Sequence, residues 1–194
     1  MIIWINGAFG SGKTQTACEL HRRLKNSYVY DPENAGFFIR DNLPDSVRFD
    51  DFQDHPIWRS FNYEMLDYIS LNYSGDIIVP MTVTNKDYYD EIIGKLSKKY
   101  DVKHFILYAE KEIILKRLAS RLEGRNSWAA QQIDRCIAAF NGDIAGHKIY
   151  TDNLSICQTA EKVAREAGVA LSRDERSGFR KFIDRTVTKI KHIR

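Results

Sequence analysis

Apolar residues gather along this chain into short runs, separated by longer stretches in which they recur at helical spacing. Residues 2–5 (Ile-Ile-Trp-Ile) are β-branched or aromatic, lack a polar interruption and stop at a glycine-rich loop, which predicts a buried central strand. Similar runs at 28–30, 77–79, 102–108 and 149–151 predict four more strands. The second stops at Asp31-Pro32 and the third at Pro80, because proline brings no N–H to a ladder. Between them, 15–24 carries Ala17, Leu20 and Leu24 at helical spacing, and 87–100 places Tyr89, Ile92, Ile93 and Leu96 on one helical face. Segments 111–122 and 128–140 read as helices, and Ser155 or Asn153 can cap another that ends near Gly168. Alternation of strands and helices requires right-handed crossovers, so the expected architecture is α/β, a five-stranded parallel sheet flanked by helices.

The pattern changes near Leu171-Ser172, dividing the chain into a body, 1–171, and a tail, 172–194. Ser172 and Glu175 have capping-box spacing, which predicts a helix from about Arg173. Phe179, Phe182, Ile183, Val187, Ile190 and Ile193 then fall within an arc of about 140°, with Arg180, Lys181, Arg185, Lys189 and Lys191 outside it. Such a C-terminal amphipathic helix can dock on the body or lie on an anionic membrane surface, where each cation contributes about 1 kcal/mol. From Arg173 onward there are eight Lys/Arg against three Asp/Glu, whereas the preceding 172 residues carry 21 basic and 23 acidic groups. That split favours the membrane and argues against nucleic acid, which would select a basic face within the body. Met1 leads directly into the first strand, with no basic-then-apolar leader, and no run of eighteen apolar residues occurs. The expectation is a cytoplasmic chain, peripherally membrane-associated, with Cys18, Cys136 and Cys157 as free thiols.

Gly7-Ala8-Phe9-Gly10-Ser11-Gly12-Lys13-Thr14 matches G-x4-G-K-[ST] between a predicted strand and a predicted helix. Glycines let the backbone curl so that successive N–H groups meet phosphate oxygens, and the helix that follows adds its positive N-terminal end. Lys13 would reach the β- and γ-phosphates of ATP, and the Thr14 hydroxyl would ligate Mg²⁺.

The rest of a phosphoryl-transfer site is sparser. Asp31 follows the second strand, at the edge of a parallel sheet where ligands bind, and can serve as the base for an acceptor hydroxyl or simply close a turn. The third strand runs into Pro80-Met81 without the strand-end acid of motor-type and GTPase-type proteins. Thr82, Thr84 and Asn85 offer hydroxyl and amide groups instead. Arg117 and Arg121 lie one helical turn apart, with Arg125 after Gly124 and Arg135 on the next helix, an arrangement suited to a lid over ATP or to a solvated basic face. Aromatics between Asp50 and Tyr73 exceed what a core needs and can line an acceptor pocket, which Arg40 can also reach.

The strings Ile2 to Thr16, Tyr28 to Pro32, Ile78 to Thr82, Asn126 to Ala130 and Gln132 to Cys136 resemble the ATP-binding tunicamycin-resistance proteins over essentially the whole chain. The resemblance implies a P-loop NTPase fold like that of the nucleoside-monophosphate-kinase group, ATP bound at Gly7 to Thr14, and protection against a lipid-tailed uridine nucleoside antibiotic. Asp31 matches the position where small-molecule kinases of that group place their base. Two activities remain open at this point: phosphorylation of a tunicamycin-like nucleoside, and its sequestration at the membrane with ATP as a structural or regulatory ligand.

Overall fold

The computed structural model describes residues 1–120 and 127–191, the last three by their backbone. Five strands form one sheet in the order β2-β3-β1-β4-β5: β1 (Ile2–Gly7), β2 (Ser27–Val29), β3 (Asp76–Pro80), β4 (Val102–Tyr108) and β5 (His147–Tyr150). Every pairing is parallel. Along β1 the side chains alternate between the two faces, as a period of two requires. Ile2 and Trp4 enter a core with Trp58, Leu66 and Ile92, while Ile3 and Ile5 enter another with Ala17, Leu20 and Ala160. The central strand is therefore apolar on both sides.

Pro80 belongs to β3 rather than following it. Its ring is tolerated because β2 has already stopped pairing at Val29, opposite Ile78, so no strand awaits an N–H from that side.

Helix α1 (Lys13–Arg23) follows the glycine loop. Two helices missing from the sequence pattern come next, α2 (Pro32–Asn42) and α3 (Pro56–Asn72), each with proline in the first turn. Pro32 ends the ladder as expected, but it also begins a helix: the first N–H groups of a helix lack partners anyway, and proline's fixed φ suits the first turn. The helix expected over 87–100 is wound as α4 (Lys86–Tyr89), a π segment (Asp90–Gly94) and α5 (Lys95–Ser97), with Ile92, Ile93 and Leu96 buried. Beyond β4 come α6 (Lys111–Ala119), α7 (Trp128–Gln131) and α8 (Ile133–Asn141). A third core cluster joins α6 to α8 through Ile114, Leu118, Ile133 and Phe140. Helix α9 (Ile156–Ala167) starts on a full capping box from Ser155 and Gln158 and ends at Gly168, which has φ 76°.

The tail departs from its expected start. Ser172 does not cap a helix; its N–H and hydroxyl both donate to Arg23 O, tying the chain to the end of α1. Helix α10 begins at Gly178 (Gly178–Lys191), where Ser177 Oγ accepts Arg180 N–H. It docks on α1 through its polar side. Gln15 Nε2 donates to Arg185 O, Arg22 donates to Thr188 Oγ1, and Arg176 pairs with Glu19, Asp174 and Asp184. Phe179, Ile183 and Val187 are turned outward, 36–75% exposed, and Phe182, 66% exposed, borders a surface cavity. The tail's cations are thus partly spent on docking, a use that the charge count alone did not reveal. Among the described residues no helix is long and apolar enough to cross a membrane.

Candidate functional site

The glycine loop leaves the C-terminal end of β1, where the chain crosses to β2 over β3. In parallel sheets this switch point is where ligands bind. Gly7, Gly10 and Gly12 have φ of 147°, 84° and 100°, values that side chains rarely tolerate. At Gly7 a Cβ would also sit 2.7 Å from Leu107 O of the neighbouring strand. The loop's origin is fixed by one carboxamide. Asn6 Oδ1 accepts the N–H groups of Gly7 (2.8 Å) and Val83 (3.0 Å), and Nδ2 donates to Val83 O (2.9 Å). Nδ2 also lies 3.2 Å from His104 Nε2. The other ring nitrogen of His104 lies 2.6 Å from Ala145 O, which places the proton on Nδ1 and leaves Nε2 to accept from Asn6. Burial lowers the imidazole pKa from 6.5 to about 4, so His104 is neutral.

Lys13 opens α1 and folds back over the loop, with Nζ 3.0 Å from Gly7 O and 3.1 Å from Ala8 O. Its ammonium lies 5.3 Å from the centre of the Phe9 ring. Phe9 in turn meets Trp128 edge-on at 4.9 Å. This stack on the lysine was not foreseen; the only sequence signal for it was the distinctive Asn126-to-Ala130 string.

Four features suit a phosphate chain with its cation. The loop's glycines leave no room for a Cβ, which would meet Ser11, Leu107, Leu118 or Ile156, and the Lys13 ammonium is at hand. Ser11 Oγ, completely buried in the loop, has no protein hydrogen-bond partner. Thr14, in the first turn of α1, carries a hydroxyl oxygen of the kind Mg²⁺ accepts.

Two of the three polar groups beyond β3 are engaged elsewhere. The Thr82 hydroxyl donates to Gly7 O at 2.8 Å, and Asn85 Oδ1 caps α4 through the N–H groups of Asp87 and Tyr88. These two groups brace the loop and the next helix, so the expectation that they substitute for a strand-end acid is corrected.

Asp31 caps α2, its Oδ1 accepting Glu33 N–H at 3.0 Å. The turn reading is therefore part of the answer, and the cap also holds the carboxylate in one rotamer at the end of β2. Beside it a cavity of about 390 Å³ is lined by Tyr28, Asp31, Phe38, Ile57 and Phe61. Of the aromatics expected there, Phe61 lines the cavity while Phe52 and Trp58 pack in the core. Arg40 lies over the Phe37 ring and pairs with Asp41 at 3.3 Å.

Arg117 reaches across from α6 to Thr151, donating to its O at 2.6 Å and to its Oγ1 at 3.1 Å, and approaches Ser11 O at 3.4 Å. A second cavity of about 390 Å³ opens there, between the glycine loop, Arg117 and α10. Arg121 and Arg125, and with them the hinge at Gly124, lie outside the described residues. Arg135 pairs with Asp51 at 3.5 Å. Of the four arginines, Arg117 is the one that the described structure brings to the loop.

No protein-family model and no curated protein matches the chain. Solved structures do. The Deinococcus radiodurans tunicamycin resistance protein is 33% identical, with a TM-score of 0.76 over 89% of this chain and 98% of that one. Shikimate kinase from Bacteroides thetaiotaomicron aligns with a TM-score of 0.60 at 14% identity, covering 87% of this chain and 99% of that one. The Mycobacterium tuberculosis APS kinase CysC gives 0.54 at 16%, covering 84% and 95%. The two kinases bear on the fold alone, an α/β P-loop fold with a five-stranded parallel sheet.

Proposed function

We propose that the chain, which belongs to the tunicamycin resistance protein family, transfers the γ-phosphoryl group of ATP to a hydroxyl of a tunicamycin-like nucleoside. The observation that carries this reading is the cradle at the C-terminal end of β1, with a positively placed Lys13 and the buried, unpartnered hydroxyl of Ser11. In this reading the loop N–H groups between Ala8 and Thr14, apart from that of Ser11, which donates to Ala8 O, hold the phosphates. Lys13 swings from the carbonyls of Gly7 and Ala8 to the β/γ-phosphates, exchanging neutral acceptors for charged ones. Thr14 holds Mg²⁺, which when bound neutralises charge on the phosphate oxygens. Asp31 takes the proton of the acceptor hydroxyl as its oxygen bonds to the γ-phosphorus and ADP leaves. Arg117, and Arg121 and Arg125 beyond it, meet the charge that develops on the phosphoryl oxygens.

The test is mass spectrometry of tunicamycin incubated with the protein, ATP and Mg²⁺. A gain of one phosphoryl mass, dependent on both Asp31 and Lys13, supports the transfer. An unmodified drug that nevertheless co-elutes with the protein supports sequestration.

The outward apolar stripe of α10 favours a second element of the reading, that the tail holds the protein peripherally on the cytoplasmic membrane surface. Co-sedimentation with vesicles of neutral and of anionic phospholipid measures this. The expected result is binding to the anionic vesicles alone, weakened by salt.

A further inference from the structure

The two cavities at the top of the sheet share no lining residue. One holds Asp31 and is walled by α2 and α3. The other begins at the glycine loop itself, and its far wall belongs to the tail: Phe182, Arg185 and Thr186 of α10 face Gly12, Arg117 and Thr151 across it. A phosphate chain gripped by the loop must send the remainder of its nucleotide to one side. The cavity that is continuous with the loop has what a purine nucleoside requires, namely flat faces in the Phe182 ring and the Arg117 guanidinium with polar groups at the margin.

We propose that α10 is a wall of the nucleotide site, with Phe182 and Arg185 binding the nucleoside end of ATP, so that nucleotide binding and docking of the tail reinforce each other. The inference rests on the phosphotransfer reading for the identity of the nucleotide. Three flanks of α10 then have separate duties. Thr188 meets α1 and Asp184 meets Arg176; Phe182 and Arg185 border the cavity; and Phe179, Ile183 and Val187 look outward. The link to the loop is short. Gln15, two residues beyond Lys13 on α1, donates to the backbone of Arg185 and itself lines the cavity. A ligand that touches both α1 and α10 stabilises their contact by as much as that contact improves its own binding.

The experiment is calorimetric titration of the full-length protein, Phe182→Ala and Arg185→Ala with Mg-ATP and, separately, with Mg-tripolyphosphate, which has the phosphates without the nucleoside. Phe182 is 66% exposed, Gln15 bonds the main chain of residue 185, and the Arg185 side chain makes one 3.6 Å contact with Cys157 Sγ, so both variants should retain the docked fold. The expected result is a loss of about 10-fold in ATP affinity with tripolyphosphate affinity kept within about twofold, the size of one stacking contact. Amide hydrogen exchange across 182–188 should slow with ATP and not with tripolyphosphate. Unchanged ATP affinity in both variants, or an equal loss for the two ligands, overturns the inference while leaving the phosphate loop intact. A parent protein that binds neither ligand overturns the phosphotransfer reading and this inference together.

Discussion

The three tryptophans occupy different surroundings, and one of them can report on the site. Trp4 and Trp58 are fully buried, their indole N–H groups donating to Met81 O and Pro32 O. Trp128 is half exposed and stands edge-on to Phe9, beside Lys13. ATP should therefore change the emission of Trp128 alone, and Trp128→Phe should erase that change while the remaining emission persists. Lys13→Ala should weaken ATP binding on the order of 100-fold, since charge-assisted hydrogen bonds contribute about 1.5–3 kcal/mol each. Its melting temperature should stay close to that of the parent. Asp31 has two duties that substitution can separate. Asn caps a helix as well as Asp does, so Asp31→Asn should keep stability and ATP affinity while phosphoryl transfer falls on the order of 100-fold. Asp31→Ala should lose the transfer and, in addition, about 1 kcal/mol of stability measured by urea unfolding. An Asp31→Asn enzyme with full turnover would confine the residue to its cap.

At the scale of elements, the strands were the legible part. The apolar runs located all five, and β4 falls on the predicted residues, because burial on both faces leaves an uninterrupted hydrophobic signature. Helix α2 escaped because Pro32 ends the β2 ladder and starts the helix at one position; α3 likewise begins on a proline, Pro56. The tail's onset was misplaced because Ser172 and Glu175 have the right spacing, but Ser172 is claimed by Arg23 O. Nor could charge counting foresee that Arg176 would bind Glu19, a carboxylate 157 positions away and almost wholly buried. Those ion pairs give the docked tail a defined acid limit. Hydrogen bonds from Arg176 and Lys181 hold the Asp174 carboxyl well below its ordinary 3.8. A depressed carboxylate contributes stability that is complete above its unfolded pKa and is lost as the pH falls through the folded one, so docking should persist through mild acid and fail only below about pH 4. Limited proteolysis over 173–188 at successive pH values follows this directly. Arg176→Ala should expose the same bonds to cleavage at neutral pH.

The whole molecule has a different acid response. His104 is neutral in the fold, with its pKa lowered to about 4, and titrates near 6.5 when unfolded. Between those values the unfolded chain carries the extra proton, so stability should rise with pH across that window and decline as pH falls from about 6.5 toward 4. Urea midpoints measured at intervals should display that slope, and His104→Gln should flatten it. The body is thus expected to soften in acid before the tail releases. This network was hidden in the sequence because Asn6, Val83, His104 and Ala145 come together only when β1, β3 and β4 are assembled; the glycine-lysine signature, by contrast, is contiguous and could be read at sight.

Asn6 and Gly7 also give the molecule a chemical clock. In a flexible chain, asparagine followed by glycine is prone to deamidation, because the next backbone nitrogen can attack the side-chain carbonyl and expel ammonia. Here the folded state opposes that reaction: Asn6 lies in a fully buried strand, and its carboxamide is engaged on both of its atoms. Once unfolded, the same dipeptide is unguarded. The aspartate it becomes would set a carboxylate oxygen against Val83 O where an N–H now donates, and would bury a charge in the middle of the sheet. Time spent unfolded is consequently recorded in the covalent structure, at a side chain from which the phosphate loop is hung.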